Sequence, residues 1–127
     1  MAVEPATYNM TVQRRSDHSI QLIFKDSTSS AINLSGYTVA AQVWDESRSN
    51  KYADFGVTYT NRTAGTVDIA LTDTQTATFT PNVLKYDVLL TNPSGLKEYY
   101  LEGNIFVSEG YTAWLQLLFQ KQKILLL

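Results

Sequence analysis

Apolar residues recur in this chain at every second position, in runs too short for helices, and each run ends at a turn signal. HSIQLIFK sets Ile20, Leu22 and Phe24 on one side of an extended segment and Gln21 and Lys25 on the other. The same period returns in Tyr8–Gln13, in YTVAAQVWD through Val39, Ala41 and Val43, and in FGVTYTN. It returns again in Val67, Ile69 and Leu71, in Tyr86, Val88 and Leu90, and in Leu96–Ser108. One sheet cannot bury so many single-sided faces, whereas two facing sheets can. The pattern therefore predicts an all-β, immunoglobulin-like β-sandwich of about seven or eight antiparallel strands. The Cys…Trp…Cys hallmark of true immunoglobulin domains is absent, so the likeness is one of architecture.

The connections carry their own signals. DSTSSAINLSG (Asp26–Gly36) is turn-rich, with Ile32 and Leu34 placed to tuck onto the core, and ESRSNKYAD (Glu46–Asp54) reads as a polar loop, the most mobile segment. Asn92-Pro93-Ser94-Gly95 is a turn that makes a hairpin of its flanking strands. In the returning strand Tyr99, Leu101, Ile105 and Val107 share a face, Glu98, Glu102 and Asn104 point the other way, and Gly103 marks a bulge or bend. Thr72-Asp73-Thr74-Gln75 fits a capping box. One or two helical turns through Ala77 follow, stopped by Pro81 and Asn82, with Ala77 and Phe79 plugging one end of the sandwich. This helical crossover between sheets reads as structural.

Composition excludes several activities. Lys+Arg at 10 against Asp+Glu at 12 leaves a net charge of -2 with no basic cluster, which argues against nucleic acid as a partner. There are no cysteines, so disulfides, thiolate metal sites and a Cys nucleophile are out, in keeping with a reducing cytoplasm. MAVEPATYNM lacks the apolar core of a secretory signal, and no stretch reaches the roughly 18 apolar residues of a membrane span. The expectation is a chain made in the cytoplasm with no membrane anchor.

Catalytic groups are sparse. His18 is the only histidine, which leaves no second imidazole for a metal site, and it reads as a solvated turn residue. Asp17 beside it lacks a nucleophile elbow or oxyanion loop. Asp68, Asp87, Glu98 and Glu102 alternate outward along different strands as solvated carboxylates. Phosphate-binding glycine loops, zinc-protease helices and calcium loops are absent, and the N-x-S/T tripeptides at Asn9, Asn33 and Asn61 are chance matches. No enzyme, cofactor or metal is expected. Tyr occurs eight times, and Tyr52, Tyr59, Tyr99, Tyr100 and Trp44 serve either core and interface packing or a sugar-stacking face. Trp44 and Tyr52 are the candidate glycan contacts of a host-glycan or receptor module.

One ordered series of motifs goes further. It comprises LIFKD (Leu22–Asp26), NLSGYTV (Asn33–Val39), Gly65–Val67, the LTDTQTA helix signal (Leu71–Ala77), Tyr86–Val88 and Leu101–Val107. This series, running from about residue 7 to residue 108, resembles the N-terminal domain of phage baseplate upper proteins and related tail-fibre and baseplate domains. The resemblance implies a structural protein of a tailed-phage virion, located in the tail or baseplate, with itself and other tail proteins as partners. Members of that family usually continue into helical linkers and receptor-facing parts. This chain stops soon after its last strand, as a stand-alone virion component would.

The tail, TAWLQLLFQKQKILLL, divides the chain into a sandwich domain at 1–110 and an apolar, helical docking or oligomerisation segment at 111–127. Trp114, Leu117, Leu118, Lys121 and Leu125 share one helical face, widened by Leu115 and Phe119. Such a surface either folds back on its own sheet, packs against a second copy or a neighbouring virion protein, or is a disordered artefact. Trp114, Leu117, Leu118, Phe119 and Leu125 are the candidate partner contacts, and a homo-oligomer is expected.

Overall fold

The computed structural model of the chain describes residues 5–111. Among them are nine strands: β1 (Ala6–Thr7), β2 (Met10–Gln13), β3 (His18–Ile23), β4 (Thr38–Trp44), β5 (Lys51–Asp54), β6 (Gly56–Asn61), β7 (Thr66–Leu71), β8 (Val83–Thr91) and β9 (Lys97–Ser108). A 3-10 turn (Arg62–Ala64) leads into β7, and one short helix, α1 (Asp73–Thr76), follows it. The chain is mostly β, as the two-residue period requires. No helix among the described residues is long and apolar enough to cross a membrane.

The strands form two sheets. In the larger, β1 and β2 both pair with β9, and β8, β4 and β5 follow in order; the smaller runs β3–β7–β6. Side chains from both sheets join one buried cluster, with Val67, Ile69 and Leu71 of β7 and Val43, Val88 and Ile105 of the larger sheet among its members. Each fully buried aliphatic of this kind contributes about 1.5–3 kcal/mol. Leu34 is wholly buried and Ile32 packs against the cluster, as the turn-rich connection predicts.

The capping box forms as read. The Thr72 hydroxyl accepts from the Gln75 amide at 3.1 Å, and the Gln75 side chain accepts from the Thr72 amide at 2.9 Å. The hairpin turn is also in place: Asn92 Oδ1 accepts from Ser94 N and Leu96 N at 3.0 and 2.9 Å, and Gly95 takes φ 94°.

Several expectations are corrected. The strands are not all antiparallel, because β1 and β2 run parallel to β9. The first strand is not one run over Tyr8–Gln13 but two, broken at Tyr8 and Asn9, where the chain steps over Gly103. A Cβ on Gly103 would lie 2.0 Å from the Tyr8 carbonyl oxygen, so this glycine admits a crossing backbone. The bulge of β9 falls at Tyr100, where the register with β8 slips between Val88 and Leu89. That slip reverses the faces beyond it: Tyr99 turns outward, half exposed, and Tyr100 packs against the core beside Phe24. The polar loop is shorter than expected, since Lys51–Asp54 is strand β5, with Ala53 buried. Phe55 is the pivot between β5 and β6, and its amide donates to the Ala41 carbonyl at 2.9 Å. At the crossover Phe79 is fully buried, but Ala77 is exposed and Thr76 plugs the core in its place. The Thr76 hydroxyl can be buried because it donates to the Ser16 carbonyl at 2.8 Å. The C-terminal helical segment, with Trp114, Leu117, Leu118, Phe119 and Leu125, lies outside the described residues.

Candidate functional site

Strand alternation that fills the core also builds the outer face of the larger sheet. Residues of β4, β8 and β9 that point away from the core stand in register there, Gln42 opposite Asp87 and Asp87 opposite Glu102. The next row is Trp44, Lys85 and Asn104. On the other side of the carboxylates, Ala40 and Leu89 lead to the outward-turned Tyr99. The first two rows, with Tyr99, floor an open groove of about 480 Å³, a volume in the range of small-molecule sites.

Two irregular segments wall it. On one side the chain turns at Asp45–Asn50, where the Asp45 carboxylate accepts from Ser49 N at 2.7 Å and Asn50 Nδ2 at 2.9 Å. This turn sets Arg48 at φ 59° with its guanidinium 4.5 Å over the Trp44 ring. The indole Nε1 donates to Gln42 Oε1 at 3.0 Å, which orients the ring along the sheet. On the other side the β1–β2 break is fastened to β9: Tyr8 N donates to the Glu102 carbonyl and Asn104 N to Asn9 Oδ1, each at 2.9 Å. The Tyr86 hydroxyl crosses beneath to the Tyr8 carbonyl, and burial, with Tyr8 nearby, raises its pKa to about 12.

The groove is acidic: Asp45, Glu46, Asp87 and Glu102 line it against Arg48 and Lys85. Burial pushes the Asp87 carboxyl above its ordinary value, the Glu102 charge adds to this, and Arg48 opposes it. Among the described residues no donor hydrogen-bonds to either the Asp87 or the Glu102 carboxylate, and neither is in a salt bridge. Lys85 instead donates to Asn104 Oδ1. The site therefore holds unengaged acceptors on its floor, amides and cations beside them, and an aromatic ring at each end. It can bind a ligand that donates hydrogen bonds.

Of the sequence candidates, Trp44 lines the groove and Tyr52 does not. Tyr52 packs edge-on against Phe79 with ring centroids 6.2 Å apart, on the core side of β5. Tyr99, Asp87, Glu102 and Asn104 join Trp44 through strand register. His18 is no solvated turn residue. It lies in β3 opposite Leu71, half-buried, its Nε2 without a hydrogen-bond partner among the described residues, and burial lowers its pKa. Asp68 and Glu98 are not fully solvated either, since each keeps one buried oxygen without a hydrogen-bond partner there. No group of three His, Cys, Asp or Glu placed to hold a metal occurs among the described residues.

A second polar cluster serves the fold. Arg14 donates to the carbonyls of Phe79 and Thr80 and to Glu109, and Arg15 also donates to Glu109. These bonds tie the exit of the helical crossover to the end of β9, and the two arginines hold the Glu109 carboxyl below its ordinary value.

No protein-family profile and no curated protein matches the chain. Among solved structures it is similar to the Lin-41 filamin domain, at 15% identity and a TM-score of 0.46, over 79% of this chain and 84% of that one.

Proposed function

We propose that this chain is a non-enzymatic, immunoglobulin-like β-sandwich adaptor of a phage virion, a baseplate or tail-fibre component that works through contacts with neighbouring proteins. The observation that carries this reading is the order in which the resembling motifs fall on the fold. LIFKD closes β3, NLSGYTV runs into β4, Gly65–Val67 opens β7, LTDTQTA makes the capped helix, Tyr86–Val88 is the middle of β8, and Leu101–Val107 lies within β9. Each motif thus stands at an element boundary or on a core strand of one two-sheet unit. The one histidine sits in the smaller sheet, apart from the carboxylates of the groove.

Light scattering after size exclusion tests the assembly part, comparing the full chain with a version ending at Tyr111. An oligomer that becomes a folded monomer on truncation supports self-assembly through Trp114, Leu117, Leu118, Phe119 and Leu125. Monomers in both cases remove self-assembly from the reading. An antibody against the chain is expected to label the tail tip of purified phage particles, and label confined to host material would refute the virion role.

A further inference from the structure

We propose that the groove between Trp44 and Tyr99 is a binding site for a neutral saccharide, held over the Asp87–Glu102 pair. This rests on the groove alone and stands whether or not the chain is a virion adaptor.

The first argument is the carboxylate pair. Like charges directly opposite on neighbouring strands are destabilising, and burial of Asp87 adds to that cost. The Arg48 charge offsets part of it, but among the described residues no donor hydrogen-bonds to either carboxylate, and Lys85 in the next row is turned to Asn104. Two acceptors held side by side, Asp87 half-buried and Glu102 exposed, and without protein donors suit a ligand that brings hydroxyl donors of its own.

The second is the mixture of groups. A simple cation would suit the carboxylates but not Arg48 and Lys85, which line the same groove. A metal ion finds no third carboxylate or imidazole suitably placed among the described residues. A sugar ring presents hydroxyls that both donate and accept. It meets acceptors in Asp87 and Glu102, donors in Lys85 and Arg48, and both kinds in Gln42 and Asn104.

The third is the aromatic geometry. Trp44 and Tyr99 stand at opposite corners of the patch, two strands and two rows apart. With strands about 4.8 Å apart and same-face residues about 6.7 Å apart, the diagonal is about 16 Å. That span suits a short oligosaccharide with a stacking ring at each end and hydrogen bonds between. Tyr99 is already half exposed. Arg48 covers the Trp44 ring but makes no side-chain hydrogen bond or ion pair among the described residues. An exposed cation–π contact is weak, so an entering ring displaces it readily.

The test is an array of neutral hexose and N-acetylhexosamine oligosaccharides probed with the labelled full chain, followed by calorimetric titration of the strongest binder. Binding that changes little with salt is expected, weakened about tenfold or more by Tyr99→Ala and by Glu102→Gln. Both positions are exposed, so Tyr99→Ala is expected to keep the wild-type melting temperature, and Glu102→Gln, which also removes the repulsion from Asp87, to keep or raise it. Absence of binding to every saccharide overturns the proposal, as does binding that both variants leave intact. Salt-screened, Glu102-dependent binding of oligolysine without saccharide binding also overturns it, and assigns the groove to a basic peptide.

Discussion

Asp87 carries two opposed demands. Its raised carboxyl pKa means that the folded protein favours the protonated form more than the unfolded chain does, so its ionisation costs stability as pH rises through the folded-state value. Asp87→Asn removes that cost and the repulsion from Glu102. The variant is expected to be more stable than wild type at pH 7 by up to about 1 kcal/mol. The difference should vanish below the ordinary carboxylate value of 3.8, where wild-type Asp87 is protonated in both states. Denaturant melts of the two proteins at pH 7 and pH 3 check this. If the groove binds saccharide, the same substitution strengthens the fold and weakens binding, a pairing that a purely structural carboxylate would not show. Trp44 could be singled out from the sequence because an aromatic at the end of an alternating strand is conspicuous. Its partnership with Asp87 and Glu102 could not, since it depends on register across two strand pairs and on where β9 slips.

At the scale of elements, what was local in sequence was legible and what was distant was not. The capping box spans four consecutive residues, and the hairpin turn is set by Asn92 and Gly95. Both follow from side-chain chemistry a few bonds away. Strand β5 was hidden because Lys51 and Asp54 flank Tyr52 and Ala53, leaving too short an apolar period to see. Gly103 is the residue type that marks a bulge or bend in a sequence, whereas pairing with β8 puts the bulge at Tyr100. Gly103 serves the crossing instead. Gly103→Ala would drive a methyl into the Tyr8 carbonyl. It is expected to lower stability by about 1–3 kcal/mol, read as a fall in the denaturant midpoint, with loss of the Tyr86–Tyr8 hydrogen bond. An unchanged midpoint would mean that β1 and β2 yield without cost.

For the molecule as a whole, the two-sheet plan was readable because many single-sided faces demand it, but the parallel placement of the first strands was not. Nothing within Ala6–Gln13 says which strand it will join; the free side of β9 decides that. The pairing runs from Ala6 opposite Leu101 to Gln13 opposite Ser108, and Arg14 N extends it with a bond to the Ser108 carbonyl.

First and last strands that lie side by side and point the same way lead the two ends of the fold out in opposite directions. Tension applied between those ends pulls the pair along its length, so its hydrogen bonds are loaded together instead of opening one after another. In a single-molecule pulling experiment the domain is expected to resist until this pair shears, and Gly103→Ala to lower the peak force more than its loss of equilibrium stability alone would suggest. A domain threaded into a chain of proteins under strain would then hold as a clasp, with its yield point set by the strip between β2 and β9.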